Sequence, residues 1–244
     1  MTDDGGGPTD RLIVFAAGSL RPAFDGWADV AGAADAWAGG PVAFRYANAR
    51  DLADAIEGGE PADVFASASP ADPERLLHSG LLDLPVVFAR NRVVIGVSRD
   101  SLGSIRSVFD LGRPGLRLAI EVAGVPLGEY TREAIRRLGR PDLAAAILAN
   151  VVDQEIDVDS VVARVRDGSA DAAFLYRTDV LASGDIMRAV ELPLDAWVEA
   201  TYVAGVIRNS ERRERARSWL AWLVGPSGRR RLEAAGFWVE TAPL

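Results

Sequence analysis

Apolar runs of strand length alternate with segments of helical period through most of the chain. The short apolar runs predict strands near residues 12–16, 42–46, 63–67, 92–98, 117–121, 171–175, 187–192 and 201–207. Between them, apolar positions three and four apart predict helices near 20–36, 49–57, 71–79, 127–138, 141–149, 158–167, 211–224 and 226–235. Such alternation is the pattern of an α/β fold with mostly parallel sheets. Two segments break the rhythm. Val86 to Val97 is long for one strand, and Ala200 to Val206 is a second long, uncharged strand just before the C-terminal helix pair. If each crosses between halves of the molecule, the chain forms two lobes with a cleft, joined by two hinge strands. Lobe 1 is then expected from 1–90 and 206–244, and lobe 2 from 91–205. One sheet continuous through both, or a single crossing, is expected to end that reading.

Near the C-terminus, Trp219, Trp222, Leu223 and Leu232 fall at helical spacing among arginines. They read either as a core face with a solvated charged back or as a partner-binding helix. The adjacent aromatics Phe237 and Trp238 are expected to anchor a short tail.

Composition narrows the chemistry. The 244 residues are 49% hydrophobic and 25% charged, ample for a buried core. With no cysteine and a single histidine, His78, there is no disulfide, thiolate nucleophile or histidine-ligand cluster. No protein-ligated metal and no cofactor is expected. The net charge of −8 argues against nucleic-acid binding, yet a few aligned N–H groups can still hold a small anion. All 27 basic residues are arginine and scattered, as a GC-rich coding bias would produce. No uncharged apolar run reaches the length of a membrane span. The polar, acidic start is unlike a secretory signal. The protein is therefore expected either in the cytoplasm, or outside it as a periplasmic or lipid-anchored protein whose signal segment is absent here.

Four strand-to-helix junctions stand out. In the first, Leu12 to Gly18 runs into Ser19, a candidate N-cap, with Pro22 in the first turn. In the second, Asn48 can cap a helix whose first amides belong to Ala49 and Arg50. The third opens at Pro126, with the amides of Leu127 and Gly128 free. The fourth has Asp157 as N-cap and Val158 as first-turn amide. A helix N-terminus presents unpaired N–H groups and the positive end of its dipole, which suits an anion. Two junctions fall in each expected lobe, so all four can face one cleft.

Five segments carry a family resemblance, in order and over about residues 12–235: Val14 to Leu20, Gly59 to Ser67, Phe88 to Val94, Val125 to Tyr130 and Ala170 to Asp179. The chain resembles the molybdate-binding receptors of molybdate ABC transporters, within the type II periplasmic solute-binding superfamily. The resemblance implies a two-lobed fold that captures a tetrahedral oxyanion, molybdate or tungstate, and delivers it to the transporter's membrane subunits as a monomer. It further implies ligand hydroxyls from Ser19 and Tyr176 and backbone donors at Ala49, Leu127 and Val158. At the second junction the family's serine is replaced by Ala49, so Asn48 or Arg50 is a candidate substitute donor. Arg50 can turn inward as an extra ligand group or outward into solvent. Glu121 stands where the family often has a small residue or Asp-Pro.

Competing readings remain open at this point. Asp63, Glu121, Asp157 and Asp159 lie near strand ends, where carboxylates could perform acid–base chemistry. However, the chain has neither a Gly-x-Ser-x-Gly elbow nor a P-loop, and His78 sits on a surface-like helix; an enzyme is not expected. A cytosolic sensor or binding protein for sulfate, phosphate or a small organic acid is the alternative.

Overall fold

The computed structural model describes residues 11–28 and 37–239. The chain opens with β1 (Leu12–Ala17), α1 (Arg21–Ala28), β2 (Val42–Ala47), α2 (Ala49–Glu57), β3 (Val64–Ser67) and α3 (Ala71–His78). A thirteen-residue strand, β4 (Val86–Ser98), leads into the second half. That half contains β5 (Leu118–Glu121), α4 (Pro126–Arg137), α5 (Pro141–Ala149), β6 (Val151–Glu155), α6 (Val158–Arg166), β7 (Ala172–Tyr176), α7 (Arg177–Ala182) and β8 (Met187–Val190). The return is β9 (Glu199–Val206), followed by α8 (Arg213–Val224) and α9 (Pro226–Ala234). Of the helix expected over 20–36, Arg21–Ala28 is helical and the rest lies outside the described residues, as do the last residues of the tail.

The architecture is α/β and two-lobed, with a curled sheet. In the first half, β1 is flanked by β2 and β3, both parallel to it. In the second, β5 is flanked by β6 and β7, again parallel. The expectation of mostly parallel sheets holds only within these groups. The long strands run the other way: β9 is antiparallel to β3, and β4 is antiparallel to β7, β8 and β9. Strands that carry the chain from one half to the other and back must point in opposite directions, so a crossing pair is antiparallel. The two lie side by side from the pairing of Val86 with Ala204 to that of Arg92 with Glu199.

Hydrogen bonding is continuous in the order β2-β1-β3-β9-β4-β7-β5-β6, the outcome expected to end the two-lobe reading; that criterion was too strict, because one crossing strand that pairs in both halves links their separate strand groups into one ladder. The continuity arises because β4 serves both halves. Its stretch from Val86 to Arg92 pairs with β9, while Val93 to Val97 pairs with β7.

Two elements appear that the hydrophobic pattern does not announce. β6 alternates between partly buried and exposed positions and pairs only with β5 at the sheet edge, so it lacks an apolar run. α7 is six residues long, too short for periodicity to register.

Packing settles the C-terminal helices as core. Trp219, Leu223 and Leu232 are buried, and the Trp219 ring meets Phe24 edge-on at 5.8 Å. Burying a side chain such as Phe24 contributes about 1.5–3 kcal/mol. Phe237 is buried, but Trp238 is exposed and holds the tail through backbone bonds to Arg90. Asp63 is a structural tie: its carboxylate accepts from the Ile13 N–H at 2.7 Å and from the Ser210 hydroxyl at 2.6 Å. It thus joins β1 to the segment after β9. His78 is exposed, with Nδ1 2.7 Å from the Glu74 carbonyl oxygen.

Candidate functional site

All four helix starts converge on one cavity of about 20 Å³, lined among others by Gly18, Ser19, Asn48, Ala49, Leu127, Val158 and Tyr176. That volume is enough to seat a water or one small ion.

Each wall follows from local sequence. β1 ends in small residues, Ala16 and Ala17, so the chain can turn tightly, and the buried Ser19 follows within the 3-10 turn Gly18–Leu20 ahead of α1; it makes no capping hydrogen bond, so it is not the N-cap the sequence suggested. The Ser19 Oγ accepts a hydrogen bond from the Tyr202 hydroxyl at 2.9 Å, which leaves its own O–H to donate elsewhere. At α2, Asn48 caps the helix by accepting from the Asp51 N–H at 2.9 Å, and its Nδ2 donates to Asp51 at 2.6 Å. Asn48 is thereby committed to its own helix. The first intrahelical bond is that of Leu52 to the Asn48 carbonyl, so the buried Ala49 keeps its amide unpaired by the helix.

At α4, Gly124 adopts φ +87°, a left-handed turn that glycine enters without strain. Pro126 then starts the helix. Gly128 has no room for a side chain: a Cβ there would stand 1.8 Å from the Val122 carbonyl oxygen. This close approach presses the first turn of α4 against the end of β5. At α6, the Asp157 side chain accepts from the Ser160 N–H at 2.8 Å, leaving the Val158 amide ahead of the first intrahelical bond.

Tyr176, the last residue of β7, is 2% exposed, and its hydroxyl has no hydrogen-bond partner among the described residues. Burial pushes its pKa well up, so the phenol is a neutral donor. Its backbone N–H donates to Asp179, itself buried, which fixes the β7–α7 turn. Arg50 is exposed and absent from the cavity wall; its charge acts on Asp72 instead.

The wall also holds two carboxylates, Glu121 and Asp157. Sequence reasoning noted both but placed neither in the ligand shell. A charged residue closing an apolar strand reads as a surface residue, and only the packing of α4 over β5 reveals that Glu121 is 5% exposed. Asp63 and Asp159 lie away from the cavity; Asp159 pairs with the Arg21 Nε at 3.1 Å, bridging the two halves at the surface. The Tyr130 hydroxyl donates to the Ala68 carbonyl at 3.3 Å in a second bridge, so the halves are closed on each other. Among the described residues, no group of three or more His, Asp or Glu is placed to hold a metal ion.

Two lobes linked by a strand pair and closed over a small cavity of helix N-termini define a solute-binding protein of the periplasmic kind. The chain belongs to the bacterial extracellular solute-binding protein family, which it matches over residues 12–238. It is 34% identical to the molybdate-binding protein ModA of Mycobacterium tuberculosis (strain H37Rv), over 95% of this chain and 87% of that relative. The fold superposes on the periplasmic molybdate-binding protein of Azotobacter vinelandii with TM-score 0.83 and 19% identity, covering 95% of this chain and 100% of that one. It also superposes on the sulfate-binding protein SubI of M. tuberculosis H37Rv, with TM-score 0.82 and 17% identity over 93% and 86% of the two chains.

Proposed function

We propose that this protein is the solute-capture component of an ABC transporter and that its ligand is a small tetrahedral oxyanion, molybdate or tungstate before others. The single observation that carries this reading is the convergence of four helix starts and the Tyr176 hydroxyl on one ion-sized cavity. Ser19 and Tyr176 donate hydroxyls, and Ala49, Leu127 and Val158 donate backbone N–H. Neutral dipoles held rigidly in place solvate a dianion without a full counter-charge.

Residues up to 90 and from 206 form lobe 1, residues 91–205 form lobe 2, and β4 with β9 is the hinge. Donors from both lobes meet only in the closed form, so ligand binding favours closure. The protein acts by capture rather than catalysis, as a monomer, outside the cytoplasmic membrane and against the transporter's membrane subunits. Among the described residues no helix is long and apolar enough to cross a membrane. Ala49 in place of a serine gives the second reading, in which the ligand is sulfate, phosphate or a small organic acid.

A thermal-shift panel of molybdate, tungstate, sulfate, phosphate and small carboxylates decides. At a hundredfold excess over Kd the true ligand stabilises the fold by about 2.7 kcal/mol. Shifts with molybdate and tungstate support the first reading, shifts only with another anion support the second, and no shift with any of them overturns both.

A further inference from the structure

The anion seat contains a carboxyl group of its own. Glu121 closes β5 inside the cavity wall, 5% exposed, with its Oε2 3.3 Å from the amide nitrogen of Gly128. The Leu127 N–H also faces this carboxyl group. Leu127 is the α4 donor that the oxyanion reading gives to the ligand, so side chain and ligand compete for its N–H, with the Gly128 N–H beside it.

The surroundings supply no direct counter-charge from the basic neighbour. Arg132 on α4 directs its guanidinium to the carbonyl oxygens of Glu121 and Gly128, at 3.0 and 2.9 Å, and to Gln154 on β6 at 3.2 Å. Asp157, the N-cap of α6, shares the cavity wall, with Tyr176 of β7 beside it. Asp179 on α7 adds a further acidic group within electrostatic range of Glu121. An ionised Glu121 and a bound dianion would place two like charges on one set of donors inside a closed site.

We propose that Glu121 couples oxyanion capture to one proton: with its carboxyl group neutral the dianion takes the α4 amides, and with it ionised the dianion is excluded. This inference rests on the oxyanion reading above. The neutral carboxyl group also carries an O–H, a donor in a site where the start of α2 offers no side-chain hydroxyl at Ala49.

Burial pushes the Glu121 pKa up to about 8 against the pull of the Gly128 amide, and Asp157 adds to the push. An arriving dianion raises it further. Below that pH the group already holds its proton and affinity is flat. Above it, binding draws one proton from solvent and affinity falls about tenfold per pH unit.

The test is calorimetric titration of the full chain with molybdate from about pH 6.5 to 9.5, in buffers of differing ionisation enthalpy. The expected result is uptake of close to one proton per ion at the alkaline end. Glu121→Gln should show a flat affinity profile, no proton uptake, and tighter binding than the parent at high pH. Molybdate binding without proton uptake by the parent at the alkaline end overturns this inference alone, whether or not the variant folds. The same alkaline slope in parent and variant also overturns it and leaves the oxyanion reading standing. A chain that binds no oxyanion at any pH overturns both.

Discussion

Replacing Tyr176 by phenylalanine separates a ligand-binding hydroxyl from a core one. The ring is buried between Tyr130 and Tyr202, with centroids 6.4 and 5.9 Å away, and these contacts survive the substitution. Only the hydroxyl is lost, and it has no partner among the described residues. An unsatisfied buried donor costs about 1–3 kcal/mol, so the unliganded variant should be as stable as the parent or slightly more stable. A gain of about 1 kcal/mol raises the Tm of a chain this size by about 2–4 °C. Binding should respond in the opposite direction. A hydrogen bond to a charged ligand is worth about 1.5–3 kcal/mol, so the Kd for molybdate should rise roughly ten- to a hundredfold. Thermal unfolding without ligand and calorimetric titration with it read the two quantities separately. A variant with lower Tm and unchanged Kd would refute the reasoning, since Tyr176 would then be core alone.

Ser19→Ala should lower both quantities: it removes a ligand donor and the acceptor of the Tyr202 hydroxyl's 2.9 Å bond, with affinity down ten- to a hundredfold and stability down by about 1 kcal/mol. Chemical denaturation beside titration checks this, and an unchanged affinity would move the anion away from β1. Ala49→Ser restores a hydroxyl at the start of α2 and should tighten molybdate binding by up to about tenfold, whereas Arg50→Ala should leave Kd within about twofold. A large loss in the Arg50 variant would show that this side chain turns inward on binding. Asp63→Ala breaks bonds to Ile13 and Ser210 and should cost about 3 kcal/mol of stability without altering Kd; reduced affinity at full stability would give Asp63 a functional part.

The elements legible in the sequence were those with strong apolar signals. β1, β3, β5, β7 and β9 are buried along most of their length, and the apolar run marks them within a residue or two, whereas β4 starts at Val86, six residues ahead of the strand expected over 92–98. β6 escaped because Val151–Glu155 pairs on one side only and keeps its polar residues half in solvent. The crossing strands were visible as two unusually long strand-like segments, but their antiparallel direction was not, because direction depends on where the chain returns from. At the cavity, Ala49 and Val158 were readable because the capping residues Asn48 and Asp157 announce their helix starts locally, and Leu127 because Pro126 opens α4, whereas Ser19 was found from the small residues that end β1 and not from the cap expected of it. Glu121 was not, because its burial is created by α4 resting on β5 through Gly128, a contact between segments rather than a property of either. The same dependence on packing turned Asp63 from a candidate acid–base group into a tie between β1 and the chain beyond β9.

The claim that this cavity captures a tetrahedral oxyanion is tested most directly by isothermal titration of the purified chain with molybdate at neutral pH, followed by displacement with sulfate. The account predicts one saturable site per chain, abolished or weakened at least tenfold in the Ser19→Ala and Tyr176→Phe variants, with sulfate a weak competitor. One site per chain of unchanged affinity in both variants would place the ligand elsewhere, and no heat with molybdate, sulfate or any other oxyanion would contradict the account outright.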